Sequence, residues 1–293
     1  MKSILILGGR GRLAAALARR WATRHNVVAL GRDEVDVADS AALDACLRGR
    51  AYDILVNGTG LTNVDACEVR RNEAHAVNAA APARMAAAAS ACGARLLHFS
   101  TDYVFDGSNQ APYVEEDPAR PLGWYGSTKL AGEQAVLEQS PDHLVFRVSW
   151  VFGPDKPAFV DQLVARAQVE ENVFAIADKF SCPTFADDVA AWAEPFFDPS
   201  LPGGLYHACN SGPCSWQEYG QWALDCAAER GIPLRTKTVR PQALADMKGF
   251  TARRPVHTIL GTGKLARTIG IPPRPWREAL REFFQHAPIP PAI

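Results

Sequence analysis

Short apolar runs that alternate with longer helical patterns constrain this chain more than any other feature of its sequence. Ser3–Leu7, Asn26–Leu30, Asp53–Asn57, Arg95–Phe99 and Leu144–Val148 read as continuous apolar strands. Strands of that kind are buried on both faces, which happens when helices cover both sides of a parallel sheet. Between them lie an Ala/Leu/Arg segment running to Trp21, a helical pattern near Ser40–Arg50, an Ala-rich stretch to about Cys92 and a helix starting near Trp124. The chain therefore reads as α/β, with a doubly wound, mostly parallel sheet. Pro82 falls inside the Ala-rich stretch, where its missing N–H predicts a kink or a restart.

After Gly153 prolines and glycines become dense and the elements shorten. Strands are expected at Asn172–Ile176 and Leu205–Ala208. A helix over Ser215–Arg230 opens with a capping-box pair, Ser215 and Glu218, and a last helix covers Trp276–Gln285. The expected division is a sheet domain over 1–153 and a smaller mixed α/β lobe over 154–293, with some later segments crossing back onto the sheet.

Composition removes several classes. The 293 residues carry 31 Lys+Arg against 32 Asp+Glu, a net charge of −1, which argues against a general nucleic-acid binder. No apolar run is long enough to span a bilayer, and the start lacks a secretory n-region and cleavage site. The seven cysteines include no Cys-x-x-Cys pair and read as reduced thiols of a cytoplasmic protein.

The first strand runs straight into Gly8-Gly9-Arg10-Gly11-Arg12-Leu13-Ala14 and a helix. Gly8 allows a tight turn, Gly11 lets backbone approach a pyrophosphate, and Ala14 is small enough for close helix–strand packing. A dinucleotide site is the expectation, giving the fold a Rossmann character. The second strand ends at Arg32 rather than at an acid, and Arg10 and Arg12 sit in the glycine turn. Arginines gathered at the ribose suit a 2′-phosphate, so NADPH is the expected cofactor, with NADH as the alternative.

Tyr125-Gly-Ser-Thr-Lys129 places a phenol and an ammonium on one helix face. A cation there would lower the phenol pKa and make Tyr125 a usable acid for carbonyl reduction. The strand at Arg95–Phe99 runs into Ser100-Thr101-Asp102-Tyr103, bringing hydroxyls and a carboxylate to the strand edge where doubly wound sheets bind ligands.

These blocks resemble the dTDP-4-dehydrorhamnose reductase (RmlD-like) group of extended short-chain dehydrogenases/reductases. The carrying stretches are Phe99–Gly107 (FSTDYVFDG), Tyr125–Glu133 (YGSTKLAGE), Arg147–Gly153 (RVSWVFG), Cys182–Asp188 (CPTFADD) and Arg254-Pro255. The resemblance implies that Thr101 bonds the substrate carbonyl, Tyr125 donates the proton, and Lys129 holds the nicotinamide ribose. It implies further that Asp36, Val37, Thr59, Gly60 and the glycine turn, Leu13 included, line the cofactor. Thr62, Val64, Asp102, Tyr103 and Trp150 would surround the sugar, and Arg254 is a candidate for the nucleotide diphosphate. The implied reaction is NADPH-dependent reduction at C4 of a nucleotide-linked 6-deoxy-4-keto sugar, with dTDP-4-dehydro-6-deoxy-L-mannose going to dTDP-L-rhamnose. The alternatives are a reductase of a different keto-sugar nucleotide and a non-catalytic NADP-binding regulatory subunit. The partner is thus a small molecule, with the chain acting alone or as a homodimer. The group commonly reads Val-Asn-Ala-Ala-Ala where this chain has Val56-Asn57-Gly58-Thr59-Gly60.

Other signals read as structural. Glu115-Glu116-Asp117 is expected to be a solvated loop cluster, and the histidines show no metal-ligand spacing, so no metal site is expected. His98 reads as a satisfied core residue, and Cys182 as packing rather than a nucleophile.

Overall fold

The computed structural model describes residues 1–286. Its main sheet contains β1 (Ser3–Leu7), β2 (Asn26–Leu30), β3 (Ile54–Asn57), β4 (Arg95–Thr101), β5 (Leu144–Val148) and the strand Gly204–His207. These six lie in the order β2-β1-β3-β4-β5-(Gly204–His207), and every neighbouring pair is parallel. Side chains alternate across the sheet. Ile4 and Ile6 enter one core with Leu17, Trp21, Val56, Leu97 and Phe146, whereas Leu5 and Leu7 enter the other with Leu43, Leu55, Met85 and Val145. Both sets are covered by helices, hence the unbroken apolar runs. The exception is β2 at the sheet edge, where only Leu30 is buried.

From β1 the chain goes to β2 on one side and then returns to β3 on the other. Such a reversal opens a crevice at the carboxyl ends of the strands.

Elements beyond residue 153 also contribute to the main sheet and its helix layer. The Gly204–His207 strand pairs with β5, and the helix Ala186–Ala193 lies on the helix α1 (Arg12–Trp21), with Trp21 Nε1 donating to Ala190 O at 3.0 Å. The remaining later elements build a core of their own around Leu163, Tyr219, Leu224, Trp276 and Phe283. Its strands Val173–Ile176 and Val239–Gln242 pair in parallel. The expected capping box is present: Ser215 accepts from Glu218 N, and the Glu218 carboxylate accepts from Ser215 N.

The Ala-rich segment restarts at Pro82. A π-helical turn over Ala76–Ala80 precedes the helix Ala81–Ala91, with Pro82 in its first turn, where a proline costs no hydrogen bond. The turn brings Asn78 inward. Its amide donates to Leu61 O at 3.1 Å and Thr128 Oγ1 at 3.2 Å, while its oxygen accepts from Leu61 N at 2.9 Å.

The helix Trp124–Gln139 is fixed to the sheet by a buried ion pair. Arg147 on β5 donates to Glu133 from Nε at 3.0 Å and from Nη2 at 2.7 Å, and both side chains are at most 4% exposed. The same guanidinium lies over the Phe105 ring at 4.9 Å. Removing one member leaves an uncompensated buried charge, so Arg147→Met should cost about 3–5 kcal/mol of stability. Urea unfolding checks this: the midpoint falls at unchanged slope, and an unshifted midpoint would contradict it.

Candidate active site

The glycine turn forms a cradle that side chains would fill. Gly8 has φ +81°, and a Cβ there would meet Gly58 O at 2.7 Å; a Cβ on Gly58 would meet Ala14 Cβ at 2.7 Å. The departure to glycine at 58 thus fits this chain's own turn, since the backbone of residue 58 lies against Ala14. Gly11 caps α1 without any side-chain acceptor, leaving the first N–H groups of the helix available to a phosphate.

A cleft of about 300 Å³ opens beside this cradle, lined among others by Gly8, Arg10, Gly11, Arg32, Asp36, Val37, Thr59 and Gly60. Arg10 pairs with Asp33 at 2.5 Å and Arg32 with Asp36 at 3.1 Å, all on exposed side chains. Thr59 N and Oγ1 both donate to Asn57 Oδ1, which shapes the cleft floor. Leu13 faces away, into the sheet core.

Arg12 departs from the expected cluster of three arginines. Its guanidinium donates to the carbonyls of Val151 (3.0 Å), Lys156 (2.7 Å) and Pro157, so it clamps the loop after β5. At the first position of α1 its side chain reaches this loop, whose three carbonyls satisfy it. Through the clamped loop it is Lys156 that enters the cleft lining, a residue no local motif marks.

Thr101, Tyr125 and Lys129 converge and are at most 8% exposed. Thr101 ends β4, and its hydroxyl lies near enough to the Tyr125 phenol to oppose the rise of the phenol pKa. Lys129 Nζ donates to Phe99 O at 2.5 Å. Gly126 lets this helix approach, since a Cβ there would meet Tyr103 O at 2.2 Å. The expected lowering of the phenol pKa by Lys129 is not what the site produces. Burial dominates and pushes Tyr125 upward, with Thr101 opposing, while burial pushes Lys129 down to about 8. In a dry pocket desolvation acts against each charged form and exceeds their mutual effect.

Asp102 follows directly on β4, 2% exposed, and accepts hydroxyl protons from Thr101 (3.1 Å), Ser181 (3.0 Å) and Thr258. Its carboxylate is thus engaged by the protein, not open to a sugar as expected. Tyr103 packs edge-on to Tyr125 at 5.6 Å, with Val64 in the same cluster, and Thr62 lies exposed beside Gly60. Trp150 has φ +41°, a strained value for a bulky residue, and stacks on Tyr219.

Arg254 is also committed internally. It donates to Asp65 at 2.6 and 3.1 Å and lies on the Phe250 ring, bracing that loop against the helix Val64–Val69. Its charge is neutralised where a diphosphate was expected. His98 is half satisfied, with Asn57 on Nδ1 at 2.9 Å and no partner for Nε2 among the described residues. Glu115, expected in solvent, instead accepts from His207 N at 2.8 Å. Among the described residues no group of His, Cys, Asp and Glu has metal-holding geometry, and no helix is long and apolar enough to cross a membrane.

Asn78 and Lys179 escaped the sequence reading. Asn78 had a legible signal, an amide in an alanine-rich helical run just before a proline; fully buried Lys179 had none.

Residues 1–288 match the RmlD substrate binding domain family. Similar curated proteins include the spore coat polysaccharide biosynthesis protein SpsK of Bacillus subtilis, 32% identical over 97% of this chain and 98% of its own length. The dTDP-4-dehydrorhamnose reductase of Sinorhizobium fredii is 33% identical over 96% of each. Among solved structures, the dTDP-4-dehydrorhamnose reductase of Bacillus anthracis in complex with NADP has TM-score 0.89 and 27% identity, covering 97% of this chain and 99% of its own. The Clostridium acetobutylicum enzyme of that name also has TM-score 0.89, at 28% identity over 96% and 98%. The chain belongs to the RmlD substrate binding domain family, and with it to the NAD(P)-dependent oxidoreductases built on a Rossmann fold.

Proposed function

We propose that this chain reduces the C4 keto group of a nucleotide-linked 6-deoxy-4-keto sugar with NADPH, converting dTDP-4-dehydro-6-deoxy-L-mannose to dTDP-L-rhamnose in the cytoplasm. The observation that carries the reading is the convergence of Thr101, Tyr125 and Lys129 at the carboxyl edge of β4. Relatives named dTDP-4-dehydrorhamnose reductase at 33–35% identity over most of the chain support it.

NADPH, when bound, would supply the hydride for the sugar carbonyl carbon. Tyr125, kept protonated by burial, delivers the proton to the oxygen that becomes an alkoxide. Thr101 steadies that oxygen and the phenol. Lys129 holds the nicotinamide ribose, and its positive charge offsets the phenolate left after proton transfer. The Gly8/Gly11 cradle and the α1 N-terminus take the pyrophosphate, with Asp36, Val37, Thr59 and Gly60 along the cofactor. Arg10, Arg32 and Lys156, which line the same cleft, would hold the 2′-phosphate. Thr62, Val64, Tyr103 and Trp150 surround the sugar, and the later lobe receives the nucleotide.

The direct assay follows loss of reduced-cofactor absorbance with a panel of keto-sugar nucleotides. Turnover confined to another sugar moves the substrate assignment; no turnover, with tight binding to a partner protein, identifies a regulatory subunit. Tyr125→Phe should lower kcat about 100- to 10,000-fold while NADPH affinity is retained. kcat/KM should fall as pH rises past about 8, because the Lys129 ammonium is lost there; a flat profile through that range contradicts its role. Arg32→Asp should weaken NADPH binding about ten-fold or more and leave NADH binding nearly unchanged, as one charge-assisted contact is lost. Equal weakening of both would refute the 2′-phosphate contact.

A further inference from the structure

Lys179 is fully buried and, among the described residues, has no carboxylate hydrogen-bonded to it. Its ammonium donates to Pro255 O at 2.7 Å and stands over the rings of Tyr103 at 5.0 Å and Trp150 at 5.9 Å. A buried cation held by one carbonyl and two ring faces is costly unless a nearby negative charge offsets it. Asp102 supplies that offset: its Oδ2 is held by Ser181, two residues along from Lys179, and by Thr258, three along from the Pro255 that Lys179 bonds. Two segments carry both residues' partners. Phe180 N donates to Val256 O and Thr258 N to Phe180 O, so Lys179–Ser181 and Pro255–Thr258 run side by side. From them Ser181 and Thr258 donate to Asp102 Oδ2, while Thr101 donates to Oδ1 at 3.1 Å.

We propose that Lys179 is a positioning residue of the reductase: through Asp102 it sets the orientation of the Thr101 hydroxyl beside Tyr125. This rests on the reading of Thr101 and Tyr125 as the reacting pair. Thr101 has a single proton. With Asp102 ionised that proton points to the carboxylate, and the Thr101 oxygen accepts from Tyr103 N at 3.2 Å and can accept from the Tyr125 phenol. As Tyr125 gives its proton away, the Thr101 hydroxyl can turn from Asp102 Oδ1 to the new oxyanion at the sugar or the phenol, while Ser181 and Thr258 go on donating to Oδ2. With Asp102 protonated its own O–H competes for the Thr101 oxygen, and this arrangement is lost. Burial favours that protonated form, and Lys179 opposes it. Arg254 is the other cation facing Lys179; Tyr103, Tyr125 and the Cys209 thiol are the other titratable groups under the influence of Asp102.

The test compares wild type, Lys179→Met, Asp102→Asn and the double variant. Lys179→Met should move the acidic limb of the kcat–pH profile up by about one unit or more and lower kcat at pH 7 about ten-fold. In the Asp102→Asn background the same substitution should change kcat less than about two-fold, because the two sites act as one. Additive effects, or a profile parallel to wild type with only KM or stability altered, overturn the proposal. Should Lys179→Met not fold, or should no substrate be turned over, ¹³C NMR of aspartate-labelled wild-type protein still decides. With the Asp102 signal assigned by its loss in Asp102→Asn, a carboxylate shift at pH 7 is expected, and a carboxylic-acid shift refutes the charge pair.

Discussion

The buried pair of Arg147 and Glu133 is the interaction on which the rest of the site depends. A charge pair this dry gains little over a well-packed apolar pair, but it tolerates almost no displacement. It therefore fixes the rotation and register of the Trp124–Gln139 helix on β5. One turn before Glu133 on that helix stands Lys129, and one more turn back stands Tyr125. The guanidinium also lies over Phe105, which follows the turn bearing Asp102 and Tyr103. Tyr125, Lys129 and the loop beyond β4 thus share one mechanical reference.

Close backbone approach does the complementary work. Gly126 and Gly132 let the same helix sit against Tyr103 O and Asn78 O, where side chains would clash at 2.2 Å in each case. Asn78 reaches the loop before the Val64–Val69 helix only because the π turn rotates it inward. The result is a cleft whose floor, along Asn57–Leu61, is held by hydrogen bonds to the side-chain amides of Asn57 and Asn78.

The charged residues divide by what surrounds them. Arg10 and Arg32 sit on exposed turns, Arg10 paired with Asp33 and Arg32 with Asp36 and, at 3.8 Å, with the half-buried Glu73, so neither guanidinium is enclosed. Arg12 and Arg254 are enclosed and have been satisfied internally, by three carbonyls and by Asp65. Burial governs the ionisable groups around the chemistry: it holds Tyr125 protonated, weakens the hold of Lys129 and Lys179 on their protons, and makes Asp102 depend on its neighbours.

By itself the sequence determined the parallel sheet, the glycine turn, the helix restart at Pro82 and the Tyr125/Lys129 pair, because each rests on local periodicity or on short spacing along one element; Thr101 was legible as a hydroxyl at a strand edge, and its role came from the family resemblance. It could not decide the fate of Arg12, Arg254, Asp102 or Lys179. Their partners lie far along the chain, on Val151–Pro157, Asp65, Ser181, Thr258 and Pro255, and only folding brings those atoms within bonding distance. The same holds for the sign of the Tyr125 shift. Spacing shows that a lysine is near, but the desolvation that outweighs it is a property of the closed pocket, and that pocket exists only in the tertiary structure.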